Sequence, residues 1–226
     1  MAYVGVAHAT ALAIEPIRQA FADHWPDAEI EDFSDFDLPA ARAAAGGETP
    51  AIRERLGLLA NRAAEAGVDA ILFTCSAFGQ SIEDVQNRLP MPVLKPNEAM
   101  FHEALARGGK VGMVATFAPS IQSMSEEYAA LARQLRADPA LQTVCADKAM
   151  DAALSGDSWL HTRMIVEAAK KLEGCDVIML AQFSMVEAAD AVEEATGIRP
   201  LTSPASAVRM LKTLVGEDTY KAAQAI

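Results

Sequence analysis

The chain of 226 residues is 51% hydrophobic and 22% charged, enough apolar material to bury a full core in one large domain or two small ones. Its formal net charge of -12 at pH 7 argues against nucleic-acid binding and against attraction to an anionic membrane, but it leaves room for a locally positive site that takes a small anion. Three cysteines, an odd number with no signal-peptide pattern, point to reduced thiols in the cytoplasm, and apolar runs no longer than strands argue against a transmembrane helix.

Residues 3–7 (Y-V-G-V-A) read as a short apolar strand ending at His8, Ala9 and Thr10. Residues 11–25 have helical spacing, with Leu12, Ile17 and Phe21 toward a core, and Pro26 stops them. A second strand is expected over 29–33. Residues 34–48 are acidic and rich in Ala and Gly, and read as a solvated loop rather than a lid. Thr49 followed by Pro50 is a cap and a first-turn proline, opening a helix that Gly67 ends. Then comes V-D-A-I-L-F-T-C-S-A-F-G, residues 68–79. Its apolar run 70–73 is the pattern of a strand buried on both faces. Thr74, Cys75 and Ser76 put two hydroxyls and a thiol where that strand ends. Ser81 with Asp84 three residues on is a capping-box pattern for a helix through Leu89. A strand over 92–94, the run Lys95-Pro96-Asn97-Glu98 and a helix over 99–106 follow.

The pattern then begins again. Val111-Gly112-Met113-Val114 mirrors Val4-Gly5-Val6-Ala7, and Gly174-Cys175-Asp176-Val177-Ile178 mirrors Gly67-Val68-Asp69-Ala70-Ile71, each 107 residues further on. One residue of drift later, P-L-T-S-P-A-S-A from Pro200 matches P-V-L-K-P-N-E-A from Pro92. Two β-α-β-α-β copies predict an α/β fold of two pseudo-symmetric lobes, each a short parallel sheet flanked by helices, with the active site in the cleft between them. The expected division is 1–97 plus 205–226 for a discontinuous first lobe, with a last helix over 205–214 packing back on it, and 98–204 for the second. On that geometry Cys75 and Gln182, equivalent in the repeat, face each other across the cleft, and His8, Thr10, Thr116, Phe117 and Lys95 rim it.

Cys75 is the leading functional candidate. Helix N-terminal amides and the Lys95 cation would lower its pKa from about 8.5; the structural alternative is a small core residue. His8 is a candidate acid or base beside it, or a histidine bonded to a loop carbonyl. Thr10, Thr74, Ser76 and Thr116 supply hydroxyls for a carboxylate, or serve as turn and cap residues. Cys145, Cys175, His24, His102 and His161 read as structural or surface residues, and Glu98 as a local cap or ion-pair partner. No metal-ligand spacing, Walker-type loop or G-x-G-x-x-G is present, so no cofactor is expected.

The D-x-I-x-x-x-C-S segment from Asp69 and the D-V-I-x-L segment from Asp176, set in two copies, resemble the aspartate/glutamate/hydantoin racemase superfamily, which also holds arylmalonate decarboxylases and maleate cis-trans isomerases. The resemblance spans nearly the whole chain. It implies chemistry without metal or pyridoxal cofactor, and a homodimer. In the two-base racemases of that superfamily one cysteine of each lobe faces the substrate α-carbon, and Cys75 matches the first. The second-lobe motif, L-G-C and a small residue, reads Leu180-Ala181-Gln182-Phe183 here. Gln182 therefore replaces the second cysteine, and an amide has no useful acidity or basicity near neutral pH. Phe117 stands where relatives carry tyrosine, and Ser76 matches a hydroxyl that holds the carboxylate or enediolate in the decarboxylases. The resemblance thus implies a cofactor-independent isomerase or racemase acting on a small carboxylate or amino-acid-like substrate. Cys75 would be base or nucleophile, Gln182 a hydrogen-bond partner and His8 a second proton-transfer group, with Thr10, Thr74, Ser76, Lys95, Thr116, Phe117 and Phe183 around the substrate. The alternatives are a decarboxylase, a lyase or hydrolase with a covalent Cys75 adduct, and a non-catalytic small-anion binding protein.

Overall fold

The computed structural model describes residues 1–138 and 140–216. The chain divides into two compact units, Met1–Pro96 with the described residues from Ala207 on, and Asn97–Ser206. The 217–226 part of the expected first lobe lies outside the described residues.

The first unit is built on β1 (Tyr3–His8), which is buried from Val4 onward and so sits at the centre of its sheet. A 310 turn leads to α1 (Ile14–His24), whose Ile17 and Phe21 are buried while Leu12, before it, is only half-buried. Then come β2 (Glu29–Ser34), α2 (Leu38–Ala45), α3 (Pro50–Glu65), β3 (Ala70–Phe73), α4 (Gly79–Gln86) and β4 (Val93–Leu94). The strands are parallel in the order β2-β1-β3-β4. Thr49 caps α3 by accepting the Ile52 N–H at 3.4 Å, as its T-P pattern predicts.

Two local expectations are corrected. The stretch expected to be loop contains α2: its Ala-rich L-P-A-A-R-A-A-A run has strong helix propensity, Leu38 is fully buried, and Gly46 closes the helix in the left-handed conformation (φ 71°). Ser81 does not open α4, which begins at Gly79 after a 310 turn over Ser76–Phe78. Its N–H instead donates to Glu48 Oε2 at 3.1 Å, and its hydroxyl bonds the same oxygen.

The second unit runs α5 (Glu98–Arg107), β5 (Val111–Ala115), α6 (Ile121–Leu135), β6 (Leu141–Cys145), α7 (Ala149–Leu154), α8 (Ser158–Ala169), β7 (Val177–Leu180), α9 (Ala189–Thr196), β8 (Leu201–Thr202) and the start of α10 (Ser203–Gly216). Its strands are again parallel, in the order β6-β5-β7-β8. The rest of α10 belongs to the first unit, where Lys212 Nζ donates to the His24 carbonyl at 3.2 Å. No helix among the described residues is long and apolar enough to cross a membrane.

The two sheets repeat at the level of individual hydrogen bonds. Val4 pairs with Ala70 in one and Val111 with Val177 in the other, 107 residues on. Asp69 accepts the Tyr3 N–H at 2.9 Å, and Asp176 accepts the Lys110 N–H at 2.8 Å. The strand ends match too: Thr74 N–H donates to the Ala7 carbonyl at 3.1 Å and Ala181 N–H to the Val114 carbonyl at 3.0 Å. Each sheet therefore presents its β1–β3 or β5–β7 carboxyl ends in register, the position at which open α/β sheets hold ligands.

Candidate active site

In the first unit β3 is buried throughout, and its chain leaves the sheet at Thr74 and Cys75. Cys75 is extended (φ -121°, ψ 118°) and starts the 310 turn that runs into α4. The residue is half-buried. Burial pushes the Cys75 thiol above its ordinary 9.0, while the Ala77 N–H and the Arg42 charge act to lower it. The depressed thiol expected from sequence is therefore not what the resting site holds. Nor is Lys95 the cation that acts on it: Lys95 forms an ion pair with Glu83.

His8 ends β1 and is 1% exposed. Its Nε2 is 3.0 Å from Asp32 Oδ1, and its Nδ1 is 3.0 Å from Thr74 Oγ1. Asp32 also pairs with Arg18. Burial acts to raise the Asp32 pKa, but hydrogen bonds from Arg18 and His8 hold it below its ordinary 3.8. Burial lowers the His8 pKa below 6.5, with Asp32 opposing. Neutral His8 beside ionised Asp32 carries its proton on Nε2, which donates to the carboxylate, and Nδ1 accepts from the Thr74 hydroxyl. The same hydroxyl is 3.3 Å from the Ala7 carbonyl. His8 is therefore enclosed, with both ring nitrogens engaged, one residue from Cys75 through Thr74.

Thr10 caps the turn after β1, accepting the Leu12 N–H at 3.4 Å. Ser76 is half-buried, and its hydroxyl makes no hydrogen bond among the described residues. In the second unit Gln182 starts the turn after β7. Its Oε1 accepts the Thr116 N–H at 2.8 Å and lies 3.3 Å from Thr116 Oγ1, while Nε2 donates to Ser120 Oγ at 3.4 Å. The amide thus ties the ends of β5 and β7 together. Of the two flanking aromatics, Phe117 is 41% exposed and Phe183 is packed in the core.

The structure thus joins His8, Thr74 and Cys75 in one unit, and Thr116 and Gln182 in the other. The sequence reading did not name Asp32, Arg18 or Arg42. Asp32 had a signal: β2 pairs in parallel with β1, His8 opposite Ser34, so Asp32 two residues earlier points to the same face. Arg42 was hidden in the stretch read as loop. Cys145, beside a hollow of about 410 Å3 that Arg163 and Lys171 also line, ends β6. Burial and the Asp147 charge push its thiol up. Cys175 is buried, 3.5 Å from Gln142 Oε1, and His161 is bonded to the Ala149 carbonyl at 2.7 Å, placements that suit structural roles. Among the described residues, no group of three or more His, Cys, Asp or Glu side chains is placed to hold a metal ion.

The model of one family, described as Asp/Glu/Hydantoin racemase, matches residues 4–211. No curated protein matches the sequence significantly. Solved structures share the fold. Picrophilus torridus aspartate racemase superposes with a TM-score of 0.73 at 14% identity, covering 98% of each chain. The allantoin racemase of Pseudomonas fluorescens gives 0.69 at 19% identity, over 96% of this chain and 91% of that one. Glutamate racemase of Francisella tularensis, in complex with D-glutamate, gives 0.71 at 15% identity, over 97% and 82%.

Proposed function

The chain belongs to the Asp/Glu/Hydantoin racemase family, and from that premise we propose that it is a cofactor-independent racemase or isomerase whose working group is Cys75. The observation that carries this reading is the thiol at the carboxyl end of β3, at the start of the turn into α4. The substrate is a small carboxylate or an amino-acid-like compound. Cys75 as thiolate removes the proton next to the carbonyl carbon of the substrate, and Ser76, with an uncommitted hydroxyl, binds the carboxylate. Solvent water delivers a proton to the opposite face of that carbon, and the resulting hydroxide takes the proton from the Cys75 thiol. His8 acts through Thr74 rather than on the substrate, because both of its ring nitrogens are already engaged.

Gln182 favours a second reading. Its amide is bonded to Thr116 and Ser120 and cannot carry a proton, so the family's second thiol has no substitute at that position. One-thiol chemistry follows: Cys75 adds to an electrophilic carbon of the substrate, and a covalent adduct forms, as in an isomerase, lyase or hydrolase of nucleophilic type.

One experiment separates the two. Aspartate, glutamate and a 5-substituted hydantoin are incubated with the enzyme in deuterium oxide, and the α-proton signal is followed by NMR, with intact-mass analysis of quenched protein. Proton transfer predicts exchange without an adduct, lost by about 100-fold or more in Cys75→Ala, with the fold unchanged by circular dichroism. Because the thiol sits above 9.0, exchange is expected to quicken about tenfold per pH unit from about pH 7 to 9. A Cys75→Ala enzyme that exchanges at the wild-type rate removes the reading.

A further inference from the structure

We propose that Arg42, on α2, is the charge partner of Cys75, a positioning residue that favours the ionised sulfur across the turn carrying it. The inference rests on the reading of Cys75 as the reactive thiol and adds the group that makes a half-buried thiol usable. Ala41, Cys75 and Ala77 pack against one core cluster, which includes Leu38 of α2 and Phe78 of the turn. Glu48, just beyond α2, accepts the Ser81 N–H at 3.1 Å and so ties this segment to the first turn of α4. The helix carrying Arg42 and the turn carrying the thiol thus pack on the same core.

Among the described residues of this neighbourhood, Arg42 is a cation that no acidic side chain pairs with, as is Arg62 of α3, which lies over the Phe33 ring instead. Arg55 on α3 donates to Asp35 from Nε at 2.9 Å and from its terminal nitrogen at 2.6 Å. Arg53 on α3 lies 3.6 Å from Asp84 of α4, Lys95 after β4 pairs with Glu83, and Arg18 of α1 pairs with Asp32 of β2. His8 of β1 is bonded to Asp32 and Thr74. The Arg42 side chain has no hydrogen bond or ion pair among the described residues, its backbone carbonyl accepting the Gly47 N–H at 3.1 Å, and its Nε is buried without an acceptor. Buried donors are nearly always satisfied, and an unpaired one on a cationic group is free to take an anion. The guanidinium charge already acts on Cys75. A thiolate there gains a fixed counter-charge, where the neutral thiol gains nothing.

The test is the rate of Cys75 alkylation by iodoacetamide between about pH 6 and 11, read at the Cys75 peptide by mass, in wild type, R42Q, R42K and R55Q. Expected is a midpoint raised by about one unit in R42Q, with alkylation about tenfold slower at neutral pH, a smaller rise in R42K and none in R55Q. High salt raises the wild-type midpoint toward that of R42Q, a measurement that needs no variant to fold. An R42Q midpoint equal to wild type, an equal shift in R55Q, or a wild-type midpoint indifferent to salt overturns the proposal. Alkylation requires no substrate, so the outcome is independent of turnover. A Cys75→Ala enzyme that stays active removes the catalytic reading and leaves a shifted R42Q midpoint standing. A dead Cys75→Ala enzyme with an unshifted R42Q removes Arg42 alone.

Discussion

His8 Nε2 lies 3.0 Å from Asp32 Oδ1, joining the buried end of the central strand to the edge strand beside it. Burial lowers the His8 pKa below 6.5, and the Asp32 carboxylate only partly offsets this. The native histidine is therefore neutral at a pH where the unfolded one takes up a proton. Unfolding binds more protons below pH 6.5, so the stability tied to neutral His8 is complete above 6.5 and is lost as pH falls from there toward the folded value. Asp32, also depressed, gives up its share only as pH falls from 3.8 toward its own folded value. Urea midpoints are thus expected to drop between pH 7.5 and 5.5 in the wild type and to stay flatter in His8→Asn. The variant should cost about 1–3 kcal/mol at pH 7.5, since Asp32 and Thr74 lose a buried partner. Parallel pH profiles for the two proteins would count against a neutral buried His8.

The strand end at His8 was legible from its apolar run, but its enclosure was not, because the partner lies 24 residues away on β2 and meets it only through parallel pairing. The repeat was legible for the opposite reason: motifs 107 residues apart are visible in one dimension, and the strand registers follow the same offset. Helix α2 was missed because Gly46, Gly47 and the aspartates before it outweighed its alanine run, and Arg42 was missed with it. Gln182 was legible as an amide without acid or base strength. That its oxygen is taken up by Thr116 could not be seen, since a glutamine side chain shows no preference for one partner until the strand ends are brought together.

The aspartates of the repeated motif have a structural task. Asp69 and Asp176 accept the N–H of Tyr3 and Lys110 at 2.9 and 2.8 Å, groups at the edge of the central strands that would otherwise lack a partner. Asp69→Ala and Asp176→Ala should each lower stability by about 1 kcal/mol, a charge-assisted bond at an exposed position. Asparagine at either site should recover part of the loss, because its oxygen still accepts. Urea denaturation of the four variants checks this; one costly aspartate and one neutral one would show that the mirrored bonds are not a shared device.

The glycines of the two central strands make a sharper prediction. A Cβ on Gly112 would stand 2.8 Å from Leu172 Cδ1 and 2.9 Å from Cys175 Sγ, and one on Gly5 would stand 3.0 Å from Ala63 Cβ. Both positions let a helix or its end approach the sheet closely, and both neighbourhoods are buried. Gly112→Ala is expected to cost about 1–3 kcal/mol through overpacking. Leu172→Ala alone should cost about 2–5 kcal/mol. Together they should cost less than the sum, because the new methyl occupies space that the shortened side chain vacates, a coupling of about 0.5–3 kcal/mol. Gly5→Ala has no such remedy, since Ala63 cannot rotate its only carbon away and α3 itself must shift. Strict additivity of Gly112→Ala and Leu172→Ala in denaturant midpoints would mean that the contact at Gly112 is not what excludes a side chain there.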